Sequence, residues 1–251
     1  MIFLGFNVPK KTNCAVNANN IAKIYGRENN KIIKNPISTA NMNRQKSVVN
    51  QPIQQTNPKP AVVRTRVQGN GARLIRGQKW NIPADRLKIG IGWDCTNSSC
   101  ELDVSAFMLT QNGKVPDESW FVFYGQDKSP DKSVTYKSNA DNSYSPDDAE
   151  MTVLLNEVAN NINKITICVT IYEALQRRLD FSAVSNIYLR IMDMNGIELA
   201  KYQAEKLPSD VMSLVVGELY RYNNTWKFCA IGKGFRKDLA AFCNIYGVEI
   251  E

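Results

Sequence analysis

The sequence predicts a mainly-β fold: a β-sandwich of two packed sheets with short connecting helices and a C-terminal helix. Three observations carry this reading. Apolar runs of strand length recur through the second part of the chain, several of them alternating with period two. Turn pairs such as Asn112-Gly113, Asn195-Gly196 and Asn223-Asn224 stand between the runs. One stretch, Phe235–Tyr246, has helical spacing instead, with Phe235, Leu239, Phe242 and Tyr246 on one stripe and Gly247 as a stop. Such an aromatic stripe is core packing.

A chain of 251 residues with 43% hydrophobic residues can bury a sizeable core. Its net charge of +7 is unevenly spread. Residues 1–71 carry 11 Lys and Arg against one acid, Glu28, whereas residues 72–251 carry 20 against 23. The first segment is rich in Asn, Gln, Lys and Pro and poor in aromatics, so it cannot bury enough apolar area to offset its ordering entropy. It is expected to be a basic, disordered tail, with Ile21–Tyr25 as its one candidate helical turn, and residues 72–251 to be the folded domain. The tail could contact an acidic surface; no nucleic-acid partner is expected. The opening MIFLGF is too short for a signal core, and no run reaches the roughly 18 apolar residues of a membrane span. The expected location is the cytoplasm.

Taken in order, Leu87–Asp94 is the first clear strand. It places Leu87, Ile89, Ile91 and Trp93 on one face and Lys88, Gly90, Gly92 and Asp94 on the other. Cys95–Cys100 reads as a turn, and Glu101–Leu109 as the returning strand, with Leu102, Val104, Ala106 and Met108 together. A symmetric hairpin of these two would set Asp94 across from Glu101 and lay Asp103 over Gly92. Opposed like charges are destabilising, so either this register is wrong or a positive group sits there, and a hard cation such as calcium fits carboxylate and carbonyl oxygens.

Ser119–Tyr124 is a fully buried strand candidate. Gly125–Glu150 is polar, with Asp127, Asp131, Asp141, Asp147, Asp148 and Glu150 among Ser, Asn and Gly. It is too long and acidic for an ordinary hairpin loop and lacks EF-hand spacing. Calcium takes about six to eight oxygens, which two acidic segments could supply. Ile165–Tyr172 is expected as a central strand, and Glu173–Phe181 as a short helical or irregular segment. Ile187–Met192 and Glu198–Gln203 flank Asn195-Gly196; Val211–Tyr222 and Thr225–Ile231 flank Asn223-Asn224. Val248–Ile250 would add a last short strand.

The chain has no histidine, which removes Ser-His-Asp, Cys-His and two-histidine metal chemistry. Of six cysteines, Cys168, Cys229 and Cys243 read as small buried hydrophobes, and Cys95 and Cys100 are the one candidate pair. Their spacing and the missing histidine speak against zinc. Glu218, a lone carboxylate in an apolar run, reads as structural.

Several stretches together resemble one family. GIGWD, ELDVSAFML and SWFVFYGQDKSPDKSV, then TIYEA followed by Arg177, GELYRYNNTWKFCAIGKGF and LAAFCNIYGVEI, run in order from about Ala72 to Glu251. They are similar to the TerD family of tellurium-resistance and stress-response proteins. The resemblance implies two packed sheets with calcium at one end, and acidic residues of the Asp94–Asp103 region and the polar loop as ligands. Asp103 and Asp141 fall on the family's acidic positions and Asn142 on the asparagine beside them. Asp147, Asp148 and Glu150 approximate its acidic cluster, and Glu101 stands where Asp is usual. Gly125-Gln126 replaces a pair of asparagines, and the loop is shorter than the family's usual form, so one site is expected to be weakened or lost.

The leading expectation is therefore a non-enzymatic calcium-binding domain, with Ca2+ held by Asp94, Glu101, Asp103, Asp141, Asn142, Asp147, Asp148 and Glu150, and with other stress-response proteins as partners. A second reading is a small-molecule or anion binder using Arg177 and Arg178, although such arginines more often bridge structural carboxylates. A metal-dependent hydrolase ranks last, because no nucleophile or general base is evident.

Overall fold

The computed structural model describes residues 71–96, 100–139 and 145–249. The expected tail, like Asp141 and Asn142, lies outside the described residues. Twelve strands form two six-stranded sheets. They are β1 (Ala72–Leu74), β2 (Lys79–Asn81), β3 (Arg86–Cys95), β4 (Leu102–Leu109), β5 (Phe121–Val122), β6 (Val134–Ser138), β7 (Ala149–Leu154), β8 (Lys164–Ile171), β9 (Val184–Met192), β10 (Glu198–Gln203), β11 (Ser213–Tyr222) and β12 (Thr225–Phe235). The first sheet runs β1-β10-β9-β3-β7-β6, and the second β2-β12-β11-β8-β4-β5. Two helices complete the fold, α1 (Ala174–Arg177) and α2 (Leu239–Tyr246).

The main core lies between the sheets. Leu87, Ile89 and Ile91 of β3 meet Val104, Ala106 and Met108 of β4, with Ile165, Ile167, Val169, Leu189, Leu219 and Phe228 among them. Period two does the sorting, because the alternate residues of β4, Phe107 and Leu109, face a second core under α2 with Phe121, Leu239 and Phe242. Asp238 caps α2 through Ala241 N at 3.0 Å, and Gly247 closes it in the left-handed conformation, φ 81°. The expected aromatic stripe thus packs on the outer face of the second sheet.

The β9–β10 turn and the β11–β12 hairpin form as expected. Asn223 and Asn224 both take positive φ, 45° and 62°, as a two-residue hairpin turn of matching twist requires. Elsewhere the structure corrects the reading. Ser119–Tyr124 is not one strand: a 3-10 turn at Glu118–Trp120 leads into the two-residue β5. The polar stretch from Gly125 is not a single loop, since it contains β6 and reaches the start of β7. Val248 is buried but forms no strand.

The most consequential correction concerns residues 87–109. β3 and β4 are not a hairpin. β3 pairs with β7 and β9 in the first sheet, and β4 with β5 and β8 in the second. Both strands have one fully apolar face, and a sandwich satisfies two such faces by setting them against each other across the core. The connection from Cys95 to Cys100 is therefore a passage between sheets. Asp94 stands in register with Ser185, not Glu101, and Asp103 with Thr170, not over Gly92.

Candidate functional site

The acidic residues gather at the end of the sandwich where β3 leaves the first sheet and β4 enters the second. A bulge between Gly92 and Asp94 bends β3 there. Asp94 is exposed and accepts a hydrogen bond from the Asn186 side chain, which β9 presents from a left-handed residue, φ 54°. The segment before β7 folds back onto this point: the Trp93 N–H donates to Asp148 Oδ2 at 2.9 Å, and the Asp148 N–H to Ile91 O at 2.8 Å. Asn139 N donates to Asp148 O at 2.9 Å, and the Asn139 amide to Ser145 Oγ at 3.2 Å. Asn139 and Ser145 are thereby held beside Asp148.

Across the passage, Glu101 is exposed and lies 3.6 Å from Arg177. Asp103 is partly buried, and burial followed by the charge of Glu101 pushes its carboxyl up to about 7, against the opposing pull of Arg177. Burial and then the charge of Asp103 raise Tyr136 of β6 to about 12. The Cys95 thiol donates to Cys100 O at 3.3 Å. Interaction with the Cys100 side chain, burial, and the charges of Asp148 and Asp94 hold the Cys95 thiol above its ordinary range, while interaction with the Cys95 side chain, with help from Arg177, lowers Cys100 against its burial.

Asp147 belongs to a different arrangement. Only 2% exposed, it takes Arg190 through both oxygens, at 2.8 Å and 3.0 Å from Nε and 2.7 Å from Nη2, and accepts from the Tyr188 hydroxyl at 3.0 Å. Burial alone would lower Arg190, but its hydrogen bonds to Asp147 and the Asp147 charge raise it. The pair lies over the first sheet's outer face, in the space left by glycine. A Cβ on Gly90 would stand 2.2 Å from Asp147 Oδ2, and one on Gly92 2.4 Å from the Tyr188 hydroxyl. The two glycines of GIGWD make room for this buried ion pair. Glu150 stands on the same face, in register with Gly90 and Lys137.

The structure thus brings Asp94 and Asp148 together, with Glu101 and Asp103 across the passage. It assigns Asp147 to Arg190 and places Glu150 along β7. Among the described residues no three His, Cys, Asp or Glu side chains already converge as a metal centre. The donor set nonetheless consists of carboxylate, amide and backbone oxygens, the chemistry a hard cation takes. Arg177 is held by Glu101, by Glu173 at 3.2 Å and by the Tyr172 ring at 4.5 Å, a structural role rather than an open anion site. Sequence reasoning missed Asn186, Tyr188 and Arg190. One signal was an arginine inside the apolar run IYLRIM, whose partner sits 43 residues away.

The comparisons with known proteins agree with this fold. The TerD domain model matches residues 71–246. The tellurium resistance protein TerD of Serratia marcescens is 38% identical over 166 residues, covering 64% of this chain and 86% of that protein. General stress protein 16U of Bacillus subtilis is 34% identical over 189 residues, covering 70% of this chain and 97% of its own length. Among solved structures, the crystal structure of a protein of unknown function, SAV2460, superposes with a TM-score of 0.51 at 21% identity, covering 66% of this chain and 98% of that one. The chain belongs to the TerD family. No described helix is long and apolar enough to cross a membrane.

Proposed function

We propose that this TerD domain is a non-enzymatic calcium-binding module of the tellurium-resistance and stress-response type, in which calcium orders the acidic segment before β7 for engagement of a partner stress-response protein. The observation that carries the reading is the docking of Asp148, in the acidic stretch before β7, on the Trp93 amide beside Asp94. Asp94 and Asp148, with Asp141 and Asn142 from that stretch, would hold the ion, and Glu101 and Asp103 would contribute from across the passage. Arg190 occupies both oxygens of Asp147, which leaves Glu150, on β7, as the further candidate ligand.

Calcium supplies charge neutralisation and cross-linking here. The carboxylates repel one another without it, and gathering them around one ion ties the first sheet, the passage and the segment before β7 together. An ion that binds only the ordered form stabilises it by RT ln(1 + [L]/Kd), about 2.7 kcal/mol at a hundredfold excess over Kd. The reading places the domain in the cytoplasm, gives residues 1–71 the role of a basic extension able to touch an acidic surface, and assigns no role to nucleic acid. Calorimetric titration of chelator-treated protein tests it. Calcium should give a saturable heat that magnesium does not match, and Asp94→Asn should weaken affinity about tenfold or more. A flat calcium isotherm would remove the ion from the account.

A further inference from the structure

We propose that Cys95 and Cys100 form a reversible oxidation site, a dithiol that a peroxide-class oxidant converts to an intramolecular disulfide across the passage between the two sheets. Cys95 is the last residue of β3 and Cys100 stands just ahead of β4. The Cys95 thiol donates to Cys100 O at 3.3 Å. The Cys95 sulfur thus lies against Cys100, and side-chain rotation is what closing a disulfide of about 2.0 Å requires. Cys95 is exposed and gives an oxidant access, whereas Cys100 is 7% exposed and shields the bond from one side.

The other described cysteines lack this combination. Cys168 and Cys243 are both buried in the second core beneath α2, and Cys229 stands on β12 with its thiol toward Gly77 O. None of the five described cysteines is joined to another.

The chemistry balances with hydrogen peroxide as oxidant. One sulfur attacks a peroxide oxygen, the O–O bond breaks, and a sulfenic acid and water result. The second sulfur attacks the sulfenic sulfur, the S–O bond breaks, and the departing hydroxide takes up the second thiol's proton as water. Two thiols and one peroxide give one disulfide and two waters, and a dithiol reductant reverses the change. The bond ties the end of one sheet to the start of the other between Asp94 and Glu101.

The test treats the full reduced chain with stoichiometric hydrogen peroxide, alkylates the remaining thiols in denaturant and maps the peptides by mass spectrometry. The expected product is a Cys95–Cys100 disulfide that outweighs every other oxidised species, disappears with dithiothreitol, and is absent from Cys95→Ser. Because Cys95 is exposed, that variant keeps the fold, which circular dichroism checks. At equal peroxide the Cys95→Ser variant should instead show over-oxidation or continued alkylation of Cys100. Wild-type protein whose Cys95 reaches sulfinic acid while Cys100 stays alkylatable, or whose disulfides join separate chains or other cysteines, would overturn the proposal.

Discussion

Gly90→Ala tests the account of the GIGWD stretch most sharply. The new Cβ would stand 2.2 Å from Oδ2, 2.4 Å from Cγ and 2.7 Å from Oδ1 of Asp147, so the whole carboxylate must move. It cannot do so and keep Arg190 on both oxygens. The Asp147 side chain is 2% exposed and that of Arg190 14%, so the separated charges would be left largely dehydrated. Breaking a buried pair in this way costs about 3–5 kcal/mol. For a protein of this size about 1 kcal/mol moves the melting temperature by about 2–4 °C, so a fall on the order of 10 °C is expected. Thermal unfolding followed by circular dichroism measures it. Asp147→Ala should cost a similar amount, and adding Gly90→Ala to that variant should cost less than about 1 kcal/mol more, because the obstacle has gone. A Gly90→Ala protein that melts within about 1 °C of wild type, or costs that simply add, would refute the reasoning.

Three further outcomes follow from the same structure. Asp131 accepts from Ser129 Oγ at 2.7 Å, Ser133 N at 3.0 Å, Ser133 Oγ at 2.7 Å and Ala159 N at 2.9 Å, so Asp131→Ala should lose about 1–3 kcal/mol. Burial works against it, but these hydrogen bonds hold its carboxyl below the usual range. The stability it contributes is thus fully present above the unfolded value of about 3.9 and is lost as pH falls through the lower folded value, so urea midpoints of variant and wild type should converge below about pH 4. The Tyr202 hydroxyl is buried without a hydrogen-bond partner among the described residues, so Tyr202→Phe should leave urea stability unchanged or raise it by up to about 1 kcal/mol; a loss of that size would reveal a partner. Limited proteolysis should leave a fragment beginning near residue 71 with its melting temperature intact, and a shortened domain that fails to fold would contradict the assignment of residues 1–71 as a tail.

The fold class was legible because strand alternation and turn pairs are local signals. Asn223-Asn224 and Gly247 each specify a backbone conformation by themselves, and the structure adopts it at both. Which strand pairs with which is a long-range matter. The run from Leu87 to Leu109 shows two apolar faces with a polar link, a pattern that serves a hairpin or a passage between sheets equally well. Only the competing partners β7, β9 and β8 decide for the passage. β7 was missed although Met151 and Val153 alternate as buried residues, because its first residues lie in the acidic run and the rest is a short apolar stretch with no turn pair to mark it. The acidic residues of the site were visible by composition, but their division was not. Nothing in the sequence near Asp147 announces Arg190, whereas the glycines at 90 and 92 were the trace of the close approach.

The central claim is that calcium orders the segment between β6 and β7. Hydrogen exchange of peptides covering residues 139–150, compared in calcium and in chelator, tests it directly. The account predicts slower exchange there with calcium, spreading to residues 91–96 at the end of β3, together with a higher melting temperature and little change in the β11–β12 hairpin. Equal exchange of both regions in calcium and in chelator, with an unchanged melting temperature, would contradict it.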